Sequence, residues 1–128
     1  MLHRALFSSA SSHWSTPIDV YSALVSEFAL DTDPCPLHGT DGLSRPWTGR
    51  RIYCNPPYGR GVADWISKGL EADVAVFLLP ARTDTRWFHD LVLPNATEIR
   101  FLRGRLKFGD AKNSAPFPSM VIVFRRGR

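Results

Sequence analysis

The sequence contains no long hydrophobic run, and this bounds the kinds of protein that it can encode. A membrane-spanning helix needs about 20 consecutive apolar residues, whereas the longest apolar stretch extends only from Val74 to Leu79. The N-terminus also lacks the apolar segment of a signal peptide, so we expect residues 1–12 to form a loosely held tail. We therefore expect a cytoplasmic protein without a membrane partner.

Cysteines, metal-ligand pairs and glycine-rich phosphate loops are also scarce. The cysteines are Cys35 and Cys54, and without a secretion signal we expect both to be reduced. Cys35 and His38 have no second closely spaced pair of ligands, so the sequence predicts no metal site. No Gly-x-Gly-x-x-Gly segment occurs, which leaves a nicotinamide-dependent enzyme unsupported.

The remaining composition indicates one small globular unit. The chain has 128 residues with 44% hydrophobic content, which suits a single domain that we assign to residues 13–128. The formal net charge is +4, and cations concentrate in residues 100–107 and at the C-terminus. This charge permits a polyanionic partner without requiring one.

Hydrophobic periodicity predicts alternating helices and strands. Thr16 as N-cap and Pro17 as the first helical residue begin a helix with an apolar repeat of four residues. Strands are predicted at 28–31, 52–54, 74–79, 98–102 and 120–124, further helices at 62–70 and from Thr83 or Asp84 to Leu93, and an extended loop or hairpin at 103–118. This order predicts an α/β fold with a mostly parallel sheet and helices on its faces.

Polar residues follow several of the predicted strands. They are Asp31, Asp33, Asn55 and Arg82. Ligands of open α/β sheets bind at the carboxyl ends of the strands, so we expect these side chains to share one edge. Arg82, together with Thr83 and Arg86, is a candidate for contact with nucleic-acid phosphates.

The segment Asn55-Pro56-Pro57-Tyr58 has the groups that methylation of an aromatic amino nitrogen requires. The lone pair of such a nitrogen is delocalised into the ring, which makes the nitrogen a weak nucleophile. Two acceptors aimed at its hydrogens stabilise the positive charge that develops on the nitrogen during methyl transfer. The Asn55 side-chain oxygen and the Pro56 carbonyl supply these acceptors, two prolines fix the backbone, and Tyr58 offers a face for stacking a base. By spacing alone, a strand-ending turn with a half-buried tyrosine is an equally good interpretation.

Seven segments of the sequence carry a resemblance to a known family. They are Trp14–Pro17, Leu30–Asp31 with Cys35–Pro36, Asp41–Leu43 with Trp47, Cys54–Gly59, Leu79–Thr85 with Trp87–Phe88, Gly104–Phe108, and Pro116–Ser119. In this order they resemble the phage-type DNA N6-adenine methyltransferase family, over nearly the whole chain from Trp14 onward.

The resemblance implies a minimal class I methyltransferase fold. This is a Rossmann-like three-layer sandwich with a mostly parallel sheet and an antiparallel strand near the C-terminus. It also implies S-adenosylmethionine as methyl donor, DNA as substrate, and an origin in a bacterium or prophage.

Site residues follow from the resemblance and the pattern together. The expected cofactor-binding residues are Thr16, Pro17, Asp31, Asp33, Asp41 and Asn55, and the sequence does not separate Asp31 from Asp33. Arg103, Arg105, Lys107 and Phe108 form a basic stretch with an aromatic, which suits DNA contact or a solvated hairpin equally. The terminal arginines are expected to be solvated.

Two kinds of rival function remain open from the sequence. The same motif serves enzymes that methylate cytosine N4, guanine in RNA or glutamine in proteins, and a catalytically silent DNA-binding protein could keep the fold. Little sequence separates Asp33 from Arg51, so we expect a weak cofactor site or one that needs DNA or a second chain, as in a homodimer. No separate target-recognition domain is evident, and we expect short or relaxed sequence specificity.

Overall fold

A computed structural model describes residues 16–35, 42–109 and 113–127. The predicted tail at 1–12 and the candidate Asp41 lie outside these residues. The described chain is an α/β fold built on a four-stranded sheet. Its strands are β1 (Arg51–Cys54), β2 (Val74–Pro80), β3 (Glu98–Phe101) and β4 (Ser119–Arg125), which confirms four of the predicted strands.

The sheet has the order β1-β2-β4-β3 and mixed direction. β1 pairs with β2 in parallel, whereas β4 is antiparallel to both β2 and β3. β4 runs against the other three strands, which agrees with the antiparallel strand expected near the C-terminus. Two of the three strand pairings are antiparallel in the described residues, so the expectation of a mostly parallel sheet is wrong for this part of the chain. The carboxyl ends of β1, β2 and β3 meet at one edge, which is called the carboxyl edge below.

β2 is the centre of the hydrophobic core, and all its residues are buried. Successive side chains of a strand point to opposite faces. Phe77 belongs to the same core cluster as Ile66, while Leu78 belongs to a second cluster with Leu24. Helices therefore cover both faces, as the alternation of the sequence predicts.

The first helix, α1 (Ile18–Phe28), begins and ends differently from the prediction. Pro17 occupies the cap position, and its carbonyl accepts from the Tyr21 amide at 3.0 Å. Thr16 makes no side-chain cap bond, because its hydroxyl is engaged elsewhere in the core. The predicted N-cap at Thr16 and first helical residue at Pro17 are therefore wrong by one residue.

The strand predicted at 28–31 is also wrong. Phe28 is helical, and Ala29 ends α1 in the left-handed conformation with φ of 52°. The Arg51 guanidinium donates to the carbonyls of Phe28 and Ala29 and so satisfies the end of the helix. Only Thr32 bridges to the sheet, in parallel with Ile52.

The second face is covered by α2 (Val62–Gly69) and by a helix at 86–95. The helix predicted at 62–70 ends one residue earlier, at Gly69, and the Leu70 side chain is exposed. The later helix contains a π-helical turn (Phe88–Val92) followed by α3 (Leu93–Asn95), so it continues past Pro94. Its first turn is capped by Thr85, whose hydroxyl oxygen accepts from the Phe88 amide at 3.2 Å, rather than by Thr83 or Asp84.

Candidate functional site

The Asn55-Pro56-Pro57-Tyr58 segment leaves β1 at the carboxyl edge, beside the end of β2. Asn55 and Pro56 are buried, while Pro57 and Tyr58 are half-buried. The Tyr58 hydroxyl donates to the Asn55 side-chain oxygen at 2.6 Å and lies 3.2 Å from the Leu78 carbonyl oxygen. The motif is therefore fixed to the central strand through a side chain as well as through the backbone.

The other end of the Asn55 amide is held by Thr16. The Asn55 nitrogen donates to the Thr16 hydroxyl at 3.1 Å, and that hydroxyl lies 2.6 Å from the hydroxyl of Tyr53. Both Thr16 and Tyr53 are buried. Burial raises the pKa of the Tyr53 and Tyr58 hydroxyls, so both remain protonated and able to donate.

A pocket of about 460 Å³ opens beside Tyr58, a size within the range of small-molecule sites. Its walls are mostly apolar and aromatic. The residues that line it are Tyr58, Gly59, Val62, Pro80, Arg82, Trp87, Pro116 and Phe117. A flat aromatic group with polar substituents is the kind of ligand that such walls accommodate.

Two phenylalanines hold the Tyr58 ring. Phe117 and Phe108 pack nearly perpendicular to it, at centroid distances of 5.6 and 6.5 Å. Phe108 is buried, so in this conformation it supports Tyr58 instead of facing outward. Contact between Phe108 and DNA stays a prediction, and it would require movement of the segment after β3 that carries Phe108.

The two candidate acids lie at different positions along β1. Asp31 is exposed, and its carboxylate accepts from the Arg51 amide at 3.1 Å, at the start of the strand. Asp33 lies two residues further, past the bridge between Thr32 and Ile52. The expectation that both acids share the carboxyl edge is therefore wrong for Asp31.

Asp33 is largely buried close to several other ionisable groups. Burial raises the pKa of its carboxyl from 3.8 to about 6, although a hydrogen bond from the Cys35 amide opposes this shift. Burial and the Asp33 charge in turn raise the pKa values of Tyr21 and Cys35 to about 12. At neutral pH the carboxylate is thus mostly ionised in a poorly solvated place, which favours a ligand that donates hydrogen bonds to it.

The basic candidates surround the same edge. Arg82, Thr83 and Arg86 follow β2 and are exposed, as are Arg103, Arg105 and Lys107 after β3. The Arg82 guanidinium also lies over the Phe117 ring, 5.7 Å from its centroid. Arg82 therefore lines the pocket, and the other cations are exposed in the segments that follow β2 and β3.

Sequence reasoning did not assign roles to Tyr53, Trp87 or Phe117. Trp87 and Phe117 lie within segments that carry the family resemblance, so a signal for them existed. Tyr53 had no such signal, because its contact with Thr16 spans 37 positions. No cluster of ligating side chains that could hold a metal ion occurs in the described residues. In the same parts of the chain, no helix is both long and apolar enough to span a bilayer.

The fold and site define an α/β protein with an asparagine-proline-proline-tyrosine turn beside an aromatic pocket. Residues 5–127 match the family described as DNA N-6-adenine-methyltransferase (Dam). The chain is 29% identical over 134 residues to the DNA N-6-adenine-methyltransferase of Haemophilus phage HP1 (strain HP1c1), covering 87% of this chain and 77% of that protein. No solved structure matches the chain significantly.

The chain belongs to the DNA N-6-adenine-methyltransferase (Dam) family. This confirms the resemblance found in the sequence and identifies an adenine-specific DNA methyltransferase. The rival acceptors and the catalytically silent protein are thereby set aside.

Proposed function

We propose that the protein transfers a methyl group from S-adenosylmethionine to N6 of an adenine that is turned out of DNA into the Tyr58 pocket. The observation that carries this proposal is the Asn55 side-chain oxygen, which faces Tyr58 at the wall of the pocket. The adjoining fold, with helices on both faces of a mixed sheet, is compatible with a minimal class I methyltransferase.

The pocket would hold the adenine between aromatic groups. Tyr58 and Trp87 line it, and Phe117 and Phe108 contact the Tyr58 ring. A base stacked on an aromatic side chain gains about 1–3 kcal/mol, which offsets part of the few kcal/mol needed to unstack it from the duplex.

Asn55 and Pro56 would orient the amino group of that base. Their carbonyl oxygens accept the two N6 hydrogens, which holds the nitrogen lone pair toward the methyl donor. Tyr58 stays a neutral donor, because burial raises its pKa. No strong general base is required, since the methylated nitrogen is acidic and loses its proton readily.

The residues at the carboxyl edge fit S-adenosylmethionine by their chemistry. Asp33 presents a poorly solvated carboxylate to a hydroxyl or ammonium donor, and the N-terminus of α1 after Pro17 favours a carboxylate. When bound, the cofactor supplies an electrophilic methyl group. We assign the acidic role to Asp33 over Asp31, because Asp31 lies at the start of β1. Asp41 stays a prediction outside the described residues.

The basic rim would hold the DNA backbone. Arg82 and Arg86 on one side, and Arg103, Arg105 and Lys107 on the other, are exposed where phosphates would pass. Phosphate contacts position a duplex without reading its sequence. Phosphate contacts of this kind agree with the short or relaxed sequence specificity expected from the sequence. Methylation-sensitive digestion of treated DNA measures this specificity.

Transfer of label tests the proposal. The protein is incubated with methyl-labelled S-adenosylmethionine and DNA, the DNA is digested to nucleosides, and we expect the label in N6-methyladenosine. Asn55→Ala should lower kcat about 100- to 1,000-fold with an unchanged circular dichroism spectrum. The matched control is Asn95→Ala, which removes an exposed side-chain amide that donates to the Leu91 carbonyl at 2.8 Å. Label in another nucleoside, or full activity of Asn55→Ala, would contradict the proposed mechanism.

A further inference from the structure

The hydrogen bonds behind Asn55 determine which way its amide faces. We propose that Thr16, backed by Tyr53, is a positioning residue that holds the Asn55 oxygen toward Tyr58, which lines the pocket. The inference rests on the proposed function, since it assigns Thr16 a part in presenting the acceptor for the adenine amino group. It gives the Thr16 side chain a role that acts through Asn55.

The distances around Asn55 agree with one orientation of the amide. Hydroxyl-to-oxygen hydrogen bonds are typically shorter than those from an amide nitrogen. The 2.6 Å contact to Tyr58 fits an O–H donor on an oxygen, and the 3.1 Å contact to Thr16 fits an N–H donor. The oxygen therefore points to Tyr58 and the nitrogen to Thr16.

A second, flipped orientation of the Asn55 amide is the state that Thr16 must disfavour. In it, the amide nitrogen would donate to the Tyr58 hydroxyl, and that hydroxyl would donate to Leu78, whose carbonyl oxygen is 3.2 Å away. The flipped amide would present two hydrogens to the incoming amino group, which is itself a donor. Only one of the two hydrogen-bonded arrangements is therefore competent for orienting the base.

Thr16 discriminates between these states because Tyr53 fixes the role of its hydroxyl. The Thr16 hydroxyl can donate its one proton to the Tyr53 oxygen over 2.6 Å. A hydroxyl whose proton is given to Tyr53 can only accept from Asn55, so it binds the amide nitrogen and not the oxygen of the flipped amide. Thr16 is completely buried, so water does not replace this acceptor when the hydroxyl is removed.

Paired substitutions of Thr16 separate the hydroxyl from the shape of the side chain. Thr16→Val keeps the branched shape and removes the acceptor, whereas Thr16→Ser keeps the hydroxyl. In the full-length chain we expect Thr16→Val to lower kcat about 10- to 100-fold, with KM for DNA and S-adenosylmethionine within about threefold of wild type. Thr16→Ser should restore kcat to within about threefold of wild type, and Tyr53→Phe should lower it less than Thr16→Val does.

A nuclear magnetic resonance measurement reads the orientation without turnover. In the wild-type protein, the Asn55 side-chain amide protons should show Overhauser contacts to the Thr16 methyl group and should be weak to the Tyr58 ring. In Thr16→Val the contacts to the Tyr58 ring should strengthen. If wild type transfers no methyl group to DNA, the proposed function fails while these spectra still decide the orientation.

Three results would overturn the positioning role. They are a Thr16→Val variant with wild-type kcat, a Thr16→Ser variant as impaired as Thr16→Val, and amide contacts that do not change between wild type and Thr16→Val. If Thr16→Val does not fold, Tyr53→Phe and the wild-type spectra carry the test. Wild-type amide protons directed at Tyr58 would then exclude the proposal.

Discussion

The hydroxyl of Tyr58 donates to the side-chain oxygen of Asn55 across 2.6 Å, so the acceptor of the motif is already engaged before a base arrives. The ring of the same residue forms a wall of the adjoining pocket. The proposed function thus gives Tyr58 two separable parts: its hydroxyl would orient Asn55, and its ring would offer a stacking face.

Substitution of Tyr58 should separate these two parts. Tyr58→Phe keeps the ring and loses the hydroxyl, and we expect kcat to fall about 10-fold, because Thr16 still holds the other end of the Asn55 amide. Tyr58→Ala also loses the stacking surface, worth about 1–3 kcal/mol, and should further raise KM for DNA. Steady-state and single-turnover methylation assays measure both effects. Equal defects in the two variants would show that the ring contributes nothing.

The ionised Asp33 carboxylate should lower the free energy of unfolding at neutral pH. Its folded-state pKa of about 6 lies above the usual 3.8, so the folded protein holds this proton more tightly than the unfolded chain does. The resulting stabilisation is complete below about pH 4 and is lost as pH rises through about 6. Asp33→Asn should therefore raise the free energy of unfolding at pH 8, by at most about 3 kcal/mol, and change it little at pH 4.

The same Asp33→Asn variant should bind S-adenosylmethionine about 10-fold more weakly in calorimetry at pH 7.5, because a charge-assisted hydrogen bond is lost. Asp31→Asn is the matched control. Asp31 is exposed and binds the Arg51 amide, so its substitution should leave cofactor affinity unchanged. An equal loss of affinity in both variants, or a loss in Asp31→Asn alone, would contradict the assignment of the acid.

Particular residues show how far the sequence alone could predict this structure. β2 was predictable because its residues are apolar on both faces, and the Asn55–Tyr58 segment because it is contiguous and follows a strand. The end of α1 was not predictable. Phe28 continues the apolar repeat, and Ala29 adopts a left-handed conformation that few residues other than glycine adopt.

The site shows the same division between local and long-range information. Asp31 and Asp33 differ by two positions, and only the register of Thr32 against Ile52 places Asp33 toward the carboxyl edge. The contacts of Thr16 with Tyr53 and Asn55 span 37 and 39 positions. Such pairs are created by packing, so the local pattern at Thr16 indicated a helix cap and gave no sign of these two hydrogen bonds.

Gly69 should be intolerant of a larger side chain. A Cβ atom at this position would lie 2.4 Å from the Phe77 ring and 3.3 Å from the Phe124 ring, both in the core. Gly69→Ala should lower the free energy of unfolding by about 1–3 kcal/mol, although alanine is the better helix former. Gly61→Ala, where no heavy atom lies within 4 Å of the added carbon, should change it by less than about 0.5 kcal/mol. The urea midpoints of the two variants decide the comparison.

Arg82 should contribute to DNA binding through charge, without regard to sequence. It is exposed at the rim of the pocket, with its guanidinium over Phe117. Loss of one phosphate contact in Arg82→Ala should lower the affinity for DNA about equally on all sequences and reduce the slope of log K against log salt by about one.

The control is Arg126→Ala, because Arg126 follows β4 at the opposite end of the sheet and donates to the Glu71 carbonyl. Fluorescence anisotropy with two unrelated duplexes, across a salt series, should show the reduced slope for Arg82→Ala and the wild-type slope for Arg126→Ala. Equal slopes for both variants would mean that the DNA follows another face of the protein.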